Sequence, residues 1–293
     1  MPAFGTSLPG VQQIPARMAT WERTVGGTEI VATAQAAEAA GFAWVSCSDH
    51  VAVPASRAAA MGATWYDAGS TLAFVAGATM RIRLLSHVLV LPYRHPLLVA
   101  KQFGTLDHLS GGRVILGVGS GHLKPEFNVL RADYERRGLV SDEYVRAIAA
   151  AWLEEVAAFE GATVAFRDVM VAPRVAQRPR PPIWVGGNSR AAVRRAARYA
   201  DGWVPWELTP EACRDAGALA RRIRAEAALP DVFELVAPLA VPADASADDV
   251  VARIEAWRQA GATAFHVGIA AASFAALLDR LAWFGRAVIS QAG

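Results

Sequence analysis

Short apolar runs alternate along the chain with longer segments of mixed apolar and polar residues. The runs are continuously apolar, which is typical of parallel strands that are buried on both faces. They predict strands over residues 3–9, 43–49, 82–92, 113–121, 181–188, 201–206, 232–242 and 262–270. The segments between them predict helices over residues 28–41, 66–79, 95–112, 142–159, 189–200, 209–227, 246–261 and 272–289.

These elements make about eight strand–helix units, a number that closes naturally into a (β/α)8 barrel, the TIM barrel. An open, doubly wound sheet is the alternative that the pattern alone leaves. The length of 293 residues fits a single barrel domain over residues 1–293, because such barrels commonly have about 250 residues or more. Residues 122–139 and 160–180 do not fit the repeat. We expect them to be insertions at the C-terminal face of the strands, where they would line the site.

Composition and charge exclude several classes of protein. The net charge is +2 with no long basic run, so nothing indicates a nucleic-acid partner. The stretch "RRAAR" (194–198) is interpreted as a solvated helix face. The chain has two cysteines and no Cys/His cluster, so the sequence does not predict a metal site. Because no signal peptide or membrane span is visible, we expect a cytoplasmic protein.

Polar residues stand at the predicted ends of several strands. Asp49 and His50 end the second strand, His122 follows the fourth, and Ser86 and His87 lie in the third. In a barrel these ends meet at one mouth, where active-site residues lie. Histidine titrates near neutral pH and can therefore move a proton to or from a substrate oxygen. On the residues alone, purely structural roles for these side chains remain an open alternative.

The segment "WVGGNSRAAVRR" (184–195) has two glycines between a predicted strand and a predicted helix. Gly186 and Gly187 let the backbone approach a ligand closely, and Asn188 and Ser189 can cap the helix. The first N–H groups of a helix favour an anion such as phosphate. An ordinary tight turn explains the same residues equally well.

Three segments in this order resemble the luciferase-like monooxygenase superfamily, and most closely its short deazaflavin (coenzyme F420)-dependent oxidoreductases. They are "AAEAAGFAWVSCSDHV", "HPLLVAKQFGTLDHLSGGRVILGVGSG" and "PPIWVGGNSRAAVRRAARYADGW". The resemblance covers about residues 3 to 206 and implies a barrel whose mouth holds a flavin-like ring. It also implies that Asp49 and His50 lie beside the ring and the substrate.

The resemblance implies two further contacts with the coenzyme. Ser86 and His87 match a bulge that backs the ring, often with a non-prolyl cis peptide, and Gly186 to Ser189 match the phosphate-side loop. A sugar-phosphate dehydrogenase branch has Glu where this chain has His122. We therefore do not expect the substrate to be a sugar phosphate on the basis of this resemblance.

The sequence supports three functional hypotheses. The first is an F420-dependent oxidoreductase that transfers a hydride between deazaflavin C5 and a small organic substrate, with His50 and His122 as the proton-transfer groups. The second is a monooxygenase that uses flavin mononucleotide (FMN) and O₂ and needs a partner flavin reductase. The third is a ligand-binding barrel without turnover, because fold does not fix function. The family resemblance also suggests a homodimer.

Overall fold

Parallel strands form a closed barrel in the structure, a computed structural model that describes residues 2–291. In chain order the strands are β1 (Ala3–Ser7), β2 (Trp44–Cys47), β3 (Arg83–Ser86), β4 (Leu89–Val90), β5 (Val114–Gly119), β6 (Ala157–Glu160), β7 (Ala165–Val169), β8 (Ile183–Gly186), β9 (Gly202–Val204), β10 (Glu234–Val241) and β11 (Ala264–Ile269). The barrel order is β3-β2-β1-β11-β10-β9-β8-β5, and the pairing of β3 with β5 closes the ring. The strand β4 resumes the line of β3 by pairing with β5. The prediction of a (β/α)8 barrel is confirmed.

Helices follow the barrel strands along the chain and cover the outside of the barrel. They are α1 (Gly27–Ala39), α2 (Ala55–Met61), α3 (Ala68–Ala76), α4 (Pro96–Leu109), α5 (Lys124–Leu130), α6 (Arg137–Leu153), α7 (Arg190–Tyr199), α8 (Pro210–Glu226), α9 (Ala247–Gln259) and α10 (Phe274–Phe284). A π-helical turn, Gly285–Ile289, extends α10. The largest apolar cluster lies between these helices and the outer faces of the strands.

Strand alternation determines what fills the barrel. In β2, Trp44 belongs to a small cluster inside the barrel, whereas Val45 belongs to the outer core. Because side chains alternate between faces, Ser46 again points inward, one layer nearer the C-terminal mouth. Trp44 meets Trp184 edge to face, with ring centroids 5.2 Å apart. These two indoles and their apolar neighbours close the barrel below the mouth.

The predicted helix over residues 142–159 is wrong at its C-terminal end. Helix α6 ends at Leu153, and the following apolar residues form β6, which pairs with β7 in an antiparallel hairpin. The buried carboxylate of Glu143 accepts hydrogen bonds from the backbone N–H groups of Ala162 (2.8 Å) and Thr163 (2.7 Å) in the hairpin turn. This long-range cap favours a hairpin where local composition favoured a helix.

The two predicted insertions differ in their relation to the mouth. Residues 122–139 contain α5 and the start of α6, and several of them line the mouth. Contrary to expectation, none of residues 160–180 does. Asp107 of α4 accepts hydrogen bonds from the backbone N–H groups of Ala176 (2.8 Å) and Gln177 (3.0 Å), which hold that insertion against the outside of the barrel.

Candidate active site

A cavity of about 1220 Å³ opens at the C-terminal mouth of the barrel. Pockets for small ligands usually measure about 300–1,000 Å³, so this one has room for a coenzyme together with a substrate. The predicted site residues that line it are Asp49, His50, His87, His122, Gly186, Gly187, Asn188 and Ser189. Ser86 is predicted as well but does not line the cavity.

Ser86 supports the wall from behind. It is fully buried, and its hydroxyl donates to the Gly117 carbonyl (2.9 Å) and accepts from the Gly117 N–H (3.1 Å). A Cβ at Gly117 would lie 1.9 Å from the Ser86 carbonyl oxygen, so this close approach requires glycine. Ser86 therefore holds the interruption between β3 and β4, and the residues after it reach the cavity.

The interruption contains a cis peptide between His87 and Val88. The predicted position, Ser86–His87, is one bond too early. The Val88 side chain then packs against Gly119 and Gly186, where an added Cβ would lie 2.8 Å and 2.6 Å from Val88 methyl carbons. Val88 thus forms part of the cavity wall between β5 and β8.

Asp49 forms a two-point ion pair with Arg94. Both carboxylate oxygens lie 2.7 Å from a guanidinium nitrogen, and Oδ2 also accepts from the Val90 N–H at 3.1 Å. The Asp49 side chain is fully buried and that of Arg94 is 18% exposed. Asp49 therefore joins the end of β2 to the turn after β4, and its charge is compensated within the protein.

His50 faces the cavity and bonds to a carboxylate that the sequence did not indicate. Its Nδ1 lies 2.6 Å from Oε2 of Glu126, which is fully buried on α5. Oε1 of Glu126 accepts from the N–H groups of Val51 (2.7 Å) and Ala52 (3.0 Å). Burial raises the pKa of Glu126, but the hydrogen bonds from His50 and these amides outweigh it and lower the pKa to about 2. Glu126 is therefore an ionised carboxylate.

Two side chains complete the surroundings of this pair. Tyr93 donates its hydroxyl to Glu126 Oε2 at 3.0 Å, and its pKa is raised by burial and by the charge of Glu126. The indole of Trp65 packs edge to face on His50 with ring centroids 4.4 Å apart. His50 is thus held from two sides.

His122 stands at the exposed edge of the cavity, with its ring centroid 6.0 Å from that of His50. Desolvation lowers its pKa, and a positive charge on His50 lowers it further. Both effects favour the neutral form of His122. The structure brings the two predicted catalytic histidines together.

The floor of the cavity is polar. His87 and His266 meet with ring centroids 4.4 Å apart, and burial lowers the pKa of His87 to about 4 and that of His266 well below its usual value. The Trp44 indole N–H donates to Nδ1 of His266 (3.3 Å), so the neutral ring carries its proton on Nε2, which lies 3.0 Å from the Ser7 hydroxyl. His266 is a cavity residue that the sequence did not indicate.

The loop after β8 exposes mainly backbone. Gly187 has φ +99°, a value that favours glycine, and the Ser189 hydroxyl caps α7 by accepting from the Ala192 N–H at 3.2 Å. The Asn188 side chain bonds within the protein, donating to the Glu207 carbonyl and accepting from the Trp206 N–H (3.4 Å). The N-terminus of α7 is therefore the part of this loop that can attract an anion.

Arg195 departs from the interpretation of residues 194–198 as a solvated face, which holds for the exposed Arg194 and Arg198. It is buried and lines the cavity. Its guanidinium contacts Asp142 (2.5 Å), the Ser120 hydroxyl (2.9 Å) and the Gly138 carbonyl (2.8 Å). The Arg137 guanidinium lies 3.9 Å from the Tyr134 ring centroid and also lines the cavity. The α7 side of the cavity therefore contains two guanidinium groups, of which that of Arg195 is paired with the Asp142 carboxylate.

Four important residues were missed: Arg94, Glu126, Arg195 and His266. Their roles depend on contacts between residues far apart in the chain, such as the 76-residue separation of His50 and Glu126. The one usable signal was that Glu126 lies in the insertion 122–139, directly after a strand end.

The sequence profile of the luciferase-like monooxygenase family matches residues 4–289. An uncharacterized protein of Mycobacterium tuberculosis, Rv0940c, is 33% identical over 224 residues, which cover 71% of this chain and 75% of that protein. The FMNH₂-dependent dimethylsulfone monooxygenase of Pseudomonas putida is 35% identical over 127 residues, covering 42% of this chain and 35% of that protein. The chain belongs to the luciferase-like monooxygenase family.

Two solved structures share the whole fold. The monooxygenase RslO1 from Streptomyces bottropensis has a TM-score of 0.82 at 21% identity, covering 99% of this chain and 100% of that one. The coenzyme F420-dependent tetrahydromethanopterin reductase from Methanopyrus kandleri has a TM-score of 0.79 at 18% identity, covering 99% of both chains. At these identities the likeness shows the fold alone.

The family supports an oxidoreductase or monooxygenase that uses a flavin-like cofactor. Within residues 2–291, no cluster of three or more His, Cys, Asp and Glu side chains is arranged to hold a metal ion. No helix in that same part of the chain combines the length and the apolar composition needed to cross a membrane.

Proposed function

We propose that the protein is a coenzyme F420-dependent oxidoreductase that transfers a hydride between deazaflavin C5 and a small organic substrate. The observation that carries the proposal is the His50–Glu126 pair at the cavity. Hydride transfer to or from a carbon bonded to oxygen also requires a proton at that oxygen. His50 is a titratable side chain that reaches the cavity beside a buried, ionised carboxylate.

The residues present fit a flavin-like coenzyme. Gly187 and the N-terminus of α7 would hold its phosphate, with Arg137 adding positive charge on the same side. Val88 would support the ring, because Gly119 and Gly186 leave space for its methyl groups. The neutral His87, His266 and Ser7 supply hydrogen-bonding groups at the floor without adding a charge.

Each part of the cavity then has a chemical task. Bound deazaflavin supplies a hydride donor or acceptor at C5. His50 holds or removes the substrate proton, and neutral His122 can hydrogen-bond the substrate oxygen from the outer side. The apolar side chains of Trp65 and Met61 exclude water on the His50 side of the cavity.

A second candidate is an FMN-dependent monooxygenase that uses O₂ and reduced flavin from a partner reductase. The observation that favours it is the 35% identity to the FMNH₂-dependent dimethylsulfone monooxygenase of Pseudomonas putida. The same loop and cavity walls would accept the ring and phosphate of FMN.

Titration of the purified protein with F420 and with FMN, each followed by fluorescence quenching, separates the two candidates. We expect tighter binding of F420, and we expect small carbonyl compounds to reoxidise reduced F420, with the visible absorbance of the oxidised coenzyme appearing. Tight binding of FMN alone would overturn the F420 proposal in favour of the second candidate. His50→Ala should lower turnover about 10²- to 10⁴-fold while coenzyme affinity stays nearly unchanged.

A further inference from the structure

The carboxylate of Glu126 has every acceptor position filled. An ionised carboxylate offers about four lone-pair sites. Oε2 faces His50 Nδ1 (2.6 Å) and the Tyr93 hydroxyl (3.0 Å), whereas Oε1 faces the N–H groups of Val51 (2.7 Å) and Ala52 (3.0 Å). Four partners therefore converge on four sites, and each partner must be a donor for the set to be satisfied.

The protons of three of these partners are fixed. Two of them belong to backbone amides, and the Tyr93 hydroxyl keeps its proton because burial and Glu126 raise its pKa. A fully buried carboxylate with a pKa of about 2 has no proton of its own at neutral pH. Nδ1 of His50 must therefore donate, or two acceptors would face each other at 2.6 Å.

We propose that Glu126 is a positioning residue that fixes His50 in the tautomer with its proton on Nδ1, so that Nε2 alone exchanges the substrate proton. Which nitrogen of a histidine is protonated is set by the hydrogen bond of the other. Nε2 of His50 has no hydrogen-bond partner within residues 2–291 and is not among their buried unpaired atoms, so the cavity reaches it. The catalytic use of this tautomer rests on the function proposed above, but the tautomer itself does not.

The proton balance is simple in the direction of substrate reduction. As the carbonyl carbon gains the hydride, the C=O π bond breaks and its electron pair forms the O–H bond with the Nε2 proton that protonated His50 releases. The imidazole that remains is neutral and still has its proton on Nδ1. The two electrons come from the reduced coenzyme, and the protein is neither oxidised nor reduced. Oxidation of an alcohol is the reverse.

The decisive measurement needs no substrate or coenzyme. ¹⁵N NMR of the full chain with labelled histidine, recorded where the imidazole is neutral, reports which ring nitrogen carries the proton, and His50→Gln assigns the signal. We expect the wild-type protein to have the proton on Nδ1. A wild-type His50 with its proton on Nε2 overturns the inference, even if no Glu126 variant folds.

Glu126→Gln tests the cause of the tautomer. The amide oxygen can still accept from Val51 and Ala52, but its NH₂ group then points at His50 Nδ1 and requires that atom to accept. We expect the neutral tautomer to move to Nε2–H. Turnover should fall about 10²- to 10⁴-fold, because a histidine in the wrong tautomer lowers the turnover of a catalytic triad by a similar factor. Coenzyme affinity should change less than about threefold. An unchanged tautomer or an unchanged turnover contradicts the inference.

Glu143→Gln is the matched control. Glu143 is also a buried glutamate that accepts from two backbone N–H groups, but it has no histidine partner and lies outside the cavity. We expect this variant to keep the His50 tautomer and wild-type turnover. If the NMR spectra show the expected tautomers but the protein binds no deazaflavin, this inference is supported and the proposed function is overturned.

Discussion

The ends of β2 and β8 face the same cavity but are built in different ways. At β2 the two titratable residues, Asp49 and His50, depend on charged partners from other loops. At β8 the residues Gly187 to Ser189 present mainly backbone groups and a helix terminus, and the Asn188 side chain bonds inside the protein. The first end therefore depends on the charge of its side chains, and the second depends on backbone conformation.

The largest expected effect is on the β2 end. Asp49→Ala removes the two-point partner of Arg94, which keeps Asp67 at 3.7 Å, and should lower the free energy of unfolding by about 3 kcal/mol. Urea denaturation followed by circular dichroism measures this. Glu160→Ala removes an exposed ion pair with Arg167 and should cost less than about 1 kcal/mol. Equal losses in the two variants would mean that the Asp49 pair behaves as a surface contact.

Acid should destabilise the protein over two overlapping pH ranges, and His266, whose pKa is also lowered by burial, contributes with His87 to the upper one. The lowered pKa of His87, about 4 against 6.5, gives stability that is complete above pH 6.5 and is lost as pH falls towards 4. The lowered pKa of Glu126, about 2 against 4.5, gives stability that is complete above pH 4.5 and is lost as pH falls towards 2. Each contribution is on the order of 3 kcal/mol.

Urea unfolding at a series of pH values checks the assignment of these windows. His87→Asn should flatten the curve between pH 6.5 and 4, and Glu126→Gln should flatten it between pH 4.5 and 2. If His87→Asn flattened the curve at the lower pH range and Glu126→Gln at the upper one, the groups assigned to the two ranges would be wrong.

A smaller effect is expected at the β8 end. Gly187→Ala places a side chain at φ +99°, which should lower the free energy of unfolding by about 1–3 kcal/mol and weaken coenzyme binding about tenfold. Gly111→Ala is the matched control, since Gly111 has φ +70° with no atom within 4 Å of an added Cβ. We expect a loss of stability in both variants and a loss of coenzyme affinity only in the first. Equal affinities would place the phosphate elsewhere.

The smallest effect is expected at the rim. Arg17 forms an ion pair with Glu207 at 2.8 Å, but both side chains are more than half exposed. Arg17→Ala should therefore change the free energy of unfolding by less than about 1 kcal/mol, and added salt should reduce the difference further. A larger change would mean that the rim is as tightly coupled as the β2 end.

The sequence predicted the barrel well because continuous apolar runs are a local property. The same local reasoning failed after Leu153, where the apolar residues 157–159 matched a helix but belong to the strand that pairs with β7 under the cap of Glu143. Predicted strand ends led to His50, His122 and Gly187, all of which line the cavity. The partners of these residues, above all Glu126, depend on packing across the barrel, which no local pattern contains.

The indole pair beneath the cavity has a kinetic consequence. Because Trp44 and Trp184 close the barrel from below, a molecule that rests on the histidine floor must arrive and depart through the same mouth as any molecule bound above it. Arrival should therefore be sequential, with the deeper ligand binding first and leaving last. In steady-state kinetics this geometry corresponds to an ordered mechanism, in which the outer ligand slows dissociation of the inner one.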